Sequence, residues 1–218
     1  MFINLQELVL LLVSEDSFDD FNQLQHVTFS HLQVLKFQYE SPSNELLIKF
    51  LENNGKNLKE FYVNYNTDDS LNLAIAKFCP NLRKLFTGFN DNELETLKTI
   101  FDSCQYLESI KIWCCDGYLN EKVIFDVLVT HSPKNFYELK LCYSYVSKSD
   151  LLPDELETFF TSWSNHIPQK SLSLIIIRND SDTLLRYIDG NMEIIEKYIK
   201  LGIIKEFKAI RYMVNFIL

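Results

Sequence analysis

Cys79-Pro80-Asn81-Leu82-Arg83-Lys84-Leu85-Phe86-Thr87 sets a leucine, an apolar residue three positions on, and a third slot two positions further, and this spacing recurs along the 218-residue chain. Copies start at Leu5, Leu32, Leu58, Leu82, Leu107, Phe136 and Leu172, at intervals of 27, 26, 24, 25, 29 and 36 residues. Their slots are Leu5/Leu8/Leu10, Leu32/Leu35/Phe37, Leu58/Phe61/Val63, Leu82/Leu85/Thr87, Leu107/Ile110/Ile112, Phe136/Leu139/Leu141 and Leu172/Ile175/Ile177. Twenty of these twenty-one positions are apolar, Thr87 being the exception, whereas an overall apolar content of 47% predicts about ten.

Most of the intervals fall within the period of leucine-rich repeats, in which each unit contributes one strand and one return segment. The connectors fit that role. Leu46, Leu47, Phe50 and Leu51 form one helical stripe, Leu94, Leu97, Ile100 and Phe101 the next, and Val123, Ile124, Val127 and Leu128 a third. Asn90 or Asp91 is positioned to cap the helix whose first turn holds Glu93, Pro153 suits a first helical position, and Gly55 follows a helix ending near Asn54. Strands alternating with helices must be parallel, because a parallel neighbour needs a crossover. The expected fold is therefore α/β: a leucine-rich-repeat horseshoe or solenoid, with a parallel sheet on the concave face and helices on the convex face.

A single domain over 1–218 follows, since each unit of such an array contacts mainly its neighbours. Beyond Pro153 the register loosens: a helical face of Leu156, Phe159, Phe160 and Trp163 precedes the apolar strand Leu172 to Ile177. A helix from Asn191 to Leu201, closed by Gly202, and a short strand from Ile203 to Phe207 are expected within a C-terminal cap and tail over 189–218. The first copy begins without a polar capping segment, as though cut from a longer chain.

The net charge of −9 disfavours nucleic acid or an anionic membrane as a partner of the whole molecule. The apolar run Val9 to Val13 is too short for a membrane span or a signal core. Five cysteines, with no Cys-x-x-Cys pair, suit a reducing compartment, so a cytoplasmic or nuclear location is expected. Cys79 and Cys104 each precede a repeat leucine by three residues, where a compact residue is needed, and read as buried thiols; adjacent Cys114 and Cys115 read as more exposed.

No catalytic, cofactor or metal site is expected. His26, His31, His131 and His166 lack metal-ligand spacing, the five glycines form no phosphate loop, and no serine sits in a nucleophile elbow. Glu93, Glu95, Glu155 and Glu157 read as solvated helix faces.

The residue between the second and third slots points away from the core, because strand side chains alternate. That column reads Val9, Lys36, Tyr62, Phe86, Lys111, Lys140 and Ile176, and the next reads Leu11, Gln38, Asn64, Gly88, Trp113, Cys142 and Arg178. Tyr62, Phe86 and Trp113 thus fall on consecutive strands as an exposed aromatic patch flanked by Lys36, Lys111 and Lys140. Such a patch is suited to a protein partner with an acidic rim.

The stretch from Asp68 to Leu85, and its echo from Asp91 to Ile112 with Cys104-Gln105-Tyr106-Leu107-Glu108-Ser109-Ile110, resembles the cysteine-containing repeats of F-box/LRR proteins. Asn57-Leu58-Lys59-Glu60-Phe61, the segment from Ser132 to Leu139 and the segment from Asn191 to Tyr198 are similar to a large F-box-associated family expanded in certain fungi. In that family an F-box docks on a Skp-type adaptor of a cullin-RING ubiquitin ligase, while the repeats select the protein to be ubiquitinated. The four residues ahead of Leu5 cannot hold an F-box, so the resemblance implies for this stretch the substrate-recognition part alone, with adaptor and cullin expected as partners only if an F-box is supplied. A stand-alone scaffold or inhibitor without a ligase link, including a truncated gene product, is the alternative.

Overall fold

The computed structural model describes residues 4–12, 18–64, 69–144, 152–165, 170–178 and 181–211. Eight strands alternate with seven helices among them. The order is β1 (Glu7–Leu12), α1 (Phe18–Leu24), β2 (Val34–Tyr39), α2 (Asn44–Asn54), β3 (Glu60–Tyr62), α3 (Ser70–Phe78), β4 (Lys84–Thr87) and α4 (Leu94–Ser103). There follow β5 (Ser109–Trp113), α5 (Glu121–His131), β6 (Glu138–Tyr143), α6 (Pro153–Ser164), β7 (Leu172–Arg178), α7 (Ser181–Lys200) and β8 (Ile204–Arg211). The strands form one open sheet in chain order, every neighbouring pair parallel. The α/β class and the parallel sheet are as the spacing predicts.

Side-chain alternation divides the strands between two faces. Leu35, Phe61, Leu85, Ile110, Leu139 and Leu174 occupy one register row and are essentially inaccessible. They share one apolar cluster with Leu47, Phe50 and Leu51 of α2, Ile75 of α3, Leu97, Ile100 and Phe101 of α4, Ile124 and Leu128 of α5, and Phe160 of α6. The i, i+3, i+4 stripes read from the sequence are therefore the faces that these helices bury. Successive helices from α1 to α7 also pack side by side.

The step from helix to strand is built the same way each time. The residue three before the repeat leucine accepts a hydrogen bond from that leucine's amide: Phe29 from Leu32, Gly55 from Leu58, Cys79 from Leu82, Cys104 from Leu107 and Pro133 from Phe136, at 2.9–3.2 Å. Next, one carbonyl accepts from two amides of the following unit, as Lys59 O does from Arg83 N (2.7 Å) and Lys84 N (3.0 Å). These turns are tightly filled. A Cβ on Gly55 would lie 2.8 Å from Phe78 O and 2.9 Å from Cys79 Sγ, so steric space, not a left-handed backbone, demands glycine there. Cys79 and Cys104 are fully buried, as expected, and burial raises the Cys104 thiol to about 12.

Thr87, the one polar slot, has a matching partner. Its hydroxyl donates to Asn72 Oδ1 at 3.0 Å, and Asn72 Nδ2 donates to Gly88 O (2.8 Å) and Glu93 Oε1 (2.9 Å). Glu93 is thus buried at 2% exposure and not on a solvated face. Its other oxygen accepts from Asn90 N at 2.6 Å, so the carboxylate stabilises the entry to α4 and neither Asn90 nor Asp91 caps the helix with its side chain. Pro153 does open α6, and Asn120 caps α5 by accepting from Val123 N at 3.0 Å.

Near the C-terminal end the sequence register is corrected by one residue. β7 pairs Leu139 with Leu174 and Leu141 with Ile176, so Leu174 and Ile176 point into the helix-covered core, while Ile175 and Ile177 join the opposite face. The run Leu174-Ile175-Ile176-Ile177 is apolar at every position, which removes the alternation that would fix register. Helix α7 begins ten residues ahead of Asn191, and Gly202 ends it with φ +73, the left-handed conformation glycine adopts freely. The final strand extends past Phe207 to Arg211, and the apolar tail beyond it lies outside the described residues.

Candidate functional site

The face of the sheet away from the helices carries the predicted outward column. Register aligns Val9, Lys36, Tyr62, Phe86, Lys111, Lys140, Ile175 and Lys208 across all eight strands. The sequence reading placed the first six correctly and took Ile176 for the seventh. In the neighbouring column, Trp113 pairs with Cys142 and Cys142 with Ile177, in place of the expected Arg178.

The aromatic residues do come together: the Phe86 and Trp113 rings are 5.8 Å apart, and Tyr62 packs against their cluster. Exposure is where the expectation fails. Phe86 is 1% and Trp113 4% exposed, buried with Cys142, Ile175 and Ile177. Tyr62, Ile210 and Tyr118 pack against this cluster, Tyr118 from the segment following β5. That segment folds back and pairs with the one after β4, through Asp91 N to Gly117 O (3.0 Å), Leu119 N to Phe89 O (2.9 Å) and an antiparallel bridge of Asn90 with Tyr118. The Tyr118 ring occupies the space over Gly88, where a Cβ would come within 2.5 Å of it. Gly88 in an otherwise side-chain-bearing column was the available signal for this close approach.

The lysines complete the cover and are themselves compensated. Lys111 Nζ lies 3.9 Å from the Phe86 ring centre and Lys36 Nζ 5.1 Å from that of Tyr62. Burial pulls the Lys111 ammonium below its usual pKa. Lys36 pairs with Glu7 at 3.3 Å, Lys140 with Glu138 at 2.8 Å and Lys208 with Glu206 at 2.6 Å. The carboxylates belong to a third outward column, two residues earlier in each strand, which the sequence reading passed over: Glu7, Val34, Glu60, Lys84, Ser109, Glu138, Ser173 and Glu206.

Glu60 and Glu138 each sit at the centre of a small polar network. Glu60 accepts from Lys84 Nζ (2.9 Å) and from Tyr62 Oη (3.0 Å); Glu138 accepts from Lys140 Nζ and from Ser109 Oγ (2.6 Å). Burial works against both carboxylates, but the hydrogen bonds from Lys84 and Tyr62, and from Lys140 and Ser109, outweigh it and hold both below the ordinary carboxylate pKa. The Tyr62 phenol moves the other way, raised by burial and by the adjacent Glu60. Hence the face is amphiphilic and near charge balance, with five lysines against four glutamates in these columns, and not strongly basic.

The cysteines near this face are poor nucleophiles. Cys114 is buried, contrary to expectation, and burial raises its thiol well above the usual range; Cys142 is pushed up to about 12. Only Cys115 of the adjacent pair reaches the surface in part. It borders a cavity of about 360 Å³ that also takes in Asp91, Asp116 and Glu121. Inside it, Tyr143 Oη donates to the buried Glu121 carboxylate at 2.7 Å. Among the described residues no group of three His, Cys, Asp or Glu side chains is arranged to hold a metal ion, and no helix is long and apolar enough to cross a membrane. Compared with the models of known protein families and with characterised proteins, the sequence matches none.

Proposed function

We propose that this chain is a leucine-rich-repeat horseshoe acting as a protein-binding module, with the open face of the sheet as its concave binding surface. The observation that carries this reading is the register: parallel strands in chain order bring one outward residue per unit into an unbroken row from Val9 to Lys208. A row of that kind offers a repeated, graded surface. Tyr62, Lys36, Lys111 and Lys140 are the contact residues, half-buried and so partly reachable, while Phe86 and Trp113 form the floor that fixes them. A partner must bring acidic groups that compete with Glu7 and Glu138 for the lysines, together with an apolar group for Tyr62.

The likeness of the 68–85 and 91–112 segments to F-box/LRR repeats supports substrate selection for ubiquitination as the setting of this binding, with the adaptor and cullin joined through an F-box. A scaffold without a ligase link is the reading against which it is tested. Affinity capture from native extract compares the chain with a Tyr62→Ala/Lys140→Glu variant, which spares the buried floor. A partner lost with the variant, recovered with adaptor and cullin from the unaltered chain, is the expected result. Loss of a partner without any ligase component favours the scaffold, and identical recoveries from both baits place the binding site elsewhere.

A further inference from the structure

At the ends where the strands begin, the turns into β2, β3, β4 and β5 border a groove of about 330 Å³ whose lining includes Lys56, Lys59, Arg83, Asn57, Asn81 and Tyr106. No carboxylate lines it, although the chain as a whole carries −9. Lys56, Lys59 and Arg83 are exposed, and Tyr106 presents 55% of its surface. Arg83 pairs with Glu108 at 3.2 Å, and the arginine side chain stays 52% exposed.

Five backbone carbonyls of the groove are already engaged. The carbonyls of Gln33, Lys59 and Arg83 each already accept from two amides of the next unit. Those of Ser30 and Lys56 accept from Asn57 Nδ2 (3.2 Å) and Asn81 Nδ2 (2.9 Å). A ligand there meets three cationic side chains and the Tyr106 ring, beside the polar side chains of Ser30, His31, Gln33, Asn57 and Asn81.

From this cationic, carboxylate-free lining we infer a second binding surface, separate from the open sheet face: the groove takes an acidic peptide segment of a protein partner, carrying an apolar side chain that rests on Tyr106. The spacing suits an extended chain. Lys59 and Arg83 stand at equivalent positions on neighbouring units, about 4.8 Å apart. Alternate carboxylates of an extended peptide repeat at about 6.6 Å, a difference that long lysine and arginine stems absorb. Arginine and tyrosine are the residues on which binding energy concentrates. A nucleic acid fits less well, because its charge continues far beyond the groove into the field of a net-negative protein.

Fluorescence anisotropy on the full chain tests this with a labelled peptide, Glu-Asp-Glu-Asp-Gly-Phe, its Gln/Asn counterpart, and a labelled 12-nucleotide single strand. Saturable binding of the acidic peptide alone is expected, weakening as salt is raised. A Lys56→Gln/Lys59→Gln/Arg83→Gln variant, all at exposed positions, is expected to bind about tenfold more weakly with an unchanged circular dichroism spectrum. Lys49→Gln/Lys134→Gln, at exposed positions outside both surfaces, is expected to bind the peptide as the unaltered chain does. Weakening by Lys36→Gln/Lys140→Gln in place of the groove variant would put the peptide on the sheet face and overturn the assignment. Equal binding by the groove variant, or no saturable binding of the acidic peptide, overturns the assignment, and tighter binding of the oligonucleotide overturns the partner class. The sheet-face reading is tested separately, by the Tyr62→Ala/Lys140→Glu capture, and the groove and sheet-face variants share no residue, so which of them weakens the peptide tells the two surfaces apart.

Discussion

The two faces of the sheet bury their aromatic residues by different means. Phe61 and Phe86 are neighbours one strand apart, and both are inaccessible, at 0% and 1% exposure. Phe61 lies within the continuous cluster that the helices cover from end to end. Phe86 lies on the open side, in a cluster of five buried residues with Tyr118 and Tyr62 packed against it and the Lys111 ammonium over the Phe86 ring. An accessible-surface figure does not separate the two, but the nature of the cover does. Helices are held by their own apolar faces over several turns; two tyrosines and a lysine side chain are held by a few local contacts.

The largest consequence concerns this pair. Phe61→Ala is expected to destabilise the fold by about 3–5 kcal/mol, since packed helices cannot collapse into the cavity. Phe86→Ala is expected to cost less, about 2–3 kcal/mol, because its roof is able to settle or admit water. Urea unfolding of both variants, read as midpoint shifts at constant slope, checks the order. Equal losses would mean that the open-face roof is as rigid as the helical layer.

Gly88→Ala sharpens the comparison by lifting the roof without touching the floor. The new methyl group needs the volume held by Tyr118 Cε1 at 2.5 Å, so the tyrosine must swing away and uncover Trp113. A cost of about 1–2 kcal/mol is expected, with a red shift of Trp113 emission read in a Trp163→Phe background, the chain having two tryptophans. An unshifted emission would show that Tyr118 is not what shields the indole.

The asymmetry between the faces also explains what sequence reading reached. The helix-covered side was legible because its signal is strictly periodic: Leu35, Phe61, Leu85 and Ile110 recur at fixed offsets, and the connector stripes match them. Where periodicity ends, legibility ends with it. The uniform run of β7 hid a one-residue shift, and Thr87 looked like an imperfection because its partner Asn72 lies fifteen residues earlier, in a helix. The outward lysine and aromatic column was placed correctly by alternation alone. Its exposure was not, because the fold-back of Tyr118 over Gly88 and the pairing of Lys36 with Glu7 depend on contacts between units, which no single repeat encodes, and the Lys140–Glu138 pair lies in a column that was not read.

Those ion pairs yield the smallest effect and a sign that differs from the packing tests. Glu60 and Glu138 have folded-state pKa values below their ordinary 4.5, so the folded chain holds fewer protons than the unfolded chain in the interval between the two values. The stabilisation they give is complete above the unfolded value and is lost as pH falls from about 4.5 through the lowered folded values. Both are partly solvated, with side chains 23% and 18% exposed, so the effect is screened by salt and stays modest beside the loss of an aromatic ring. Thermal unfolding between pH 3 and 7 is expected to show the midpoint falling on the acid side for the unaltered chain, and falling less for Glu60→Gln/Glu138→Gln. A variant profile parallel to that of the unaltered chain would move the acid sensitivity to other carboxylates and leave the open face held by packing alone.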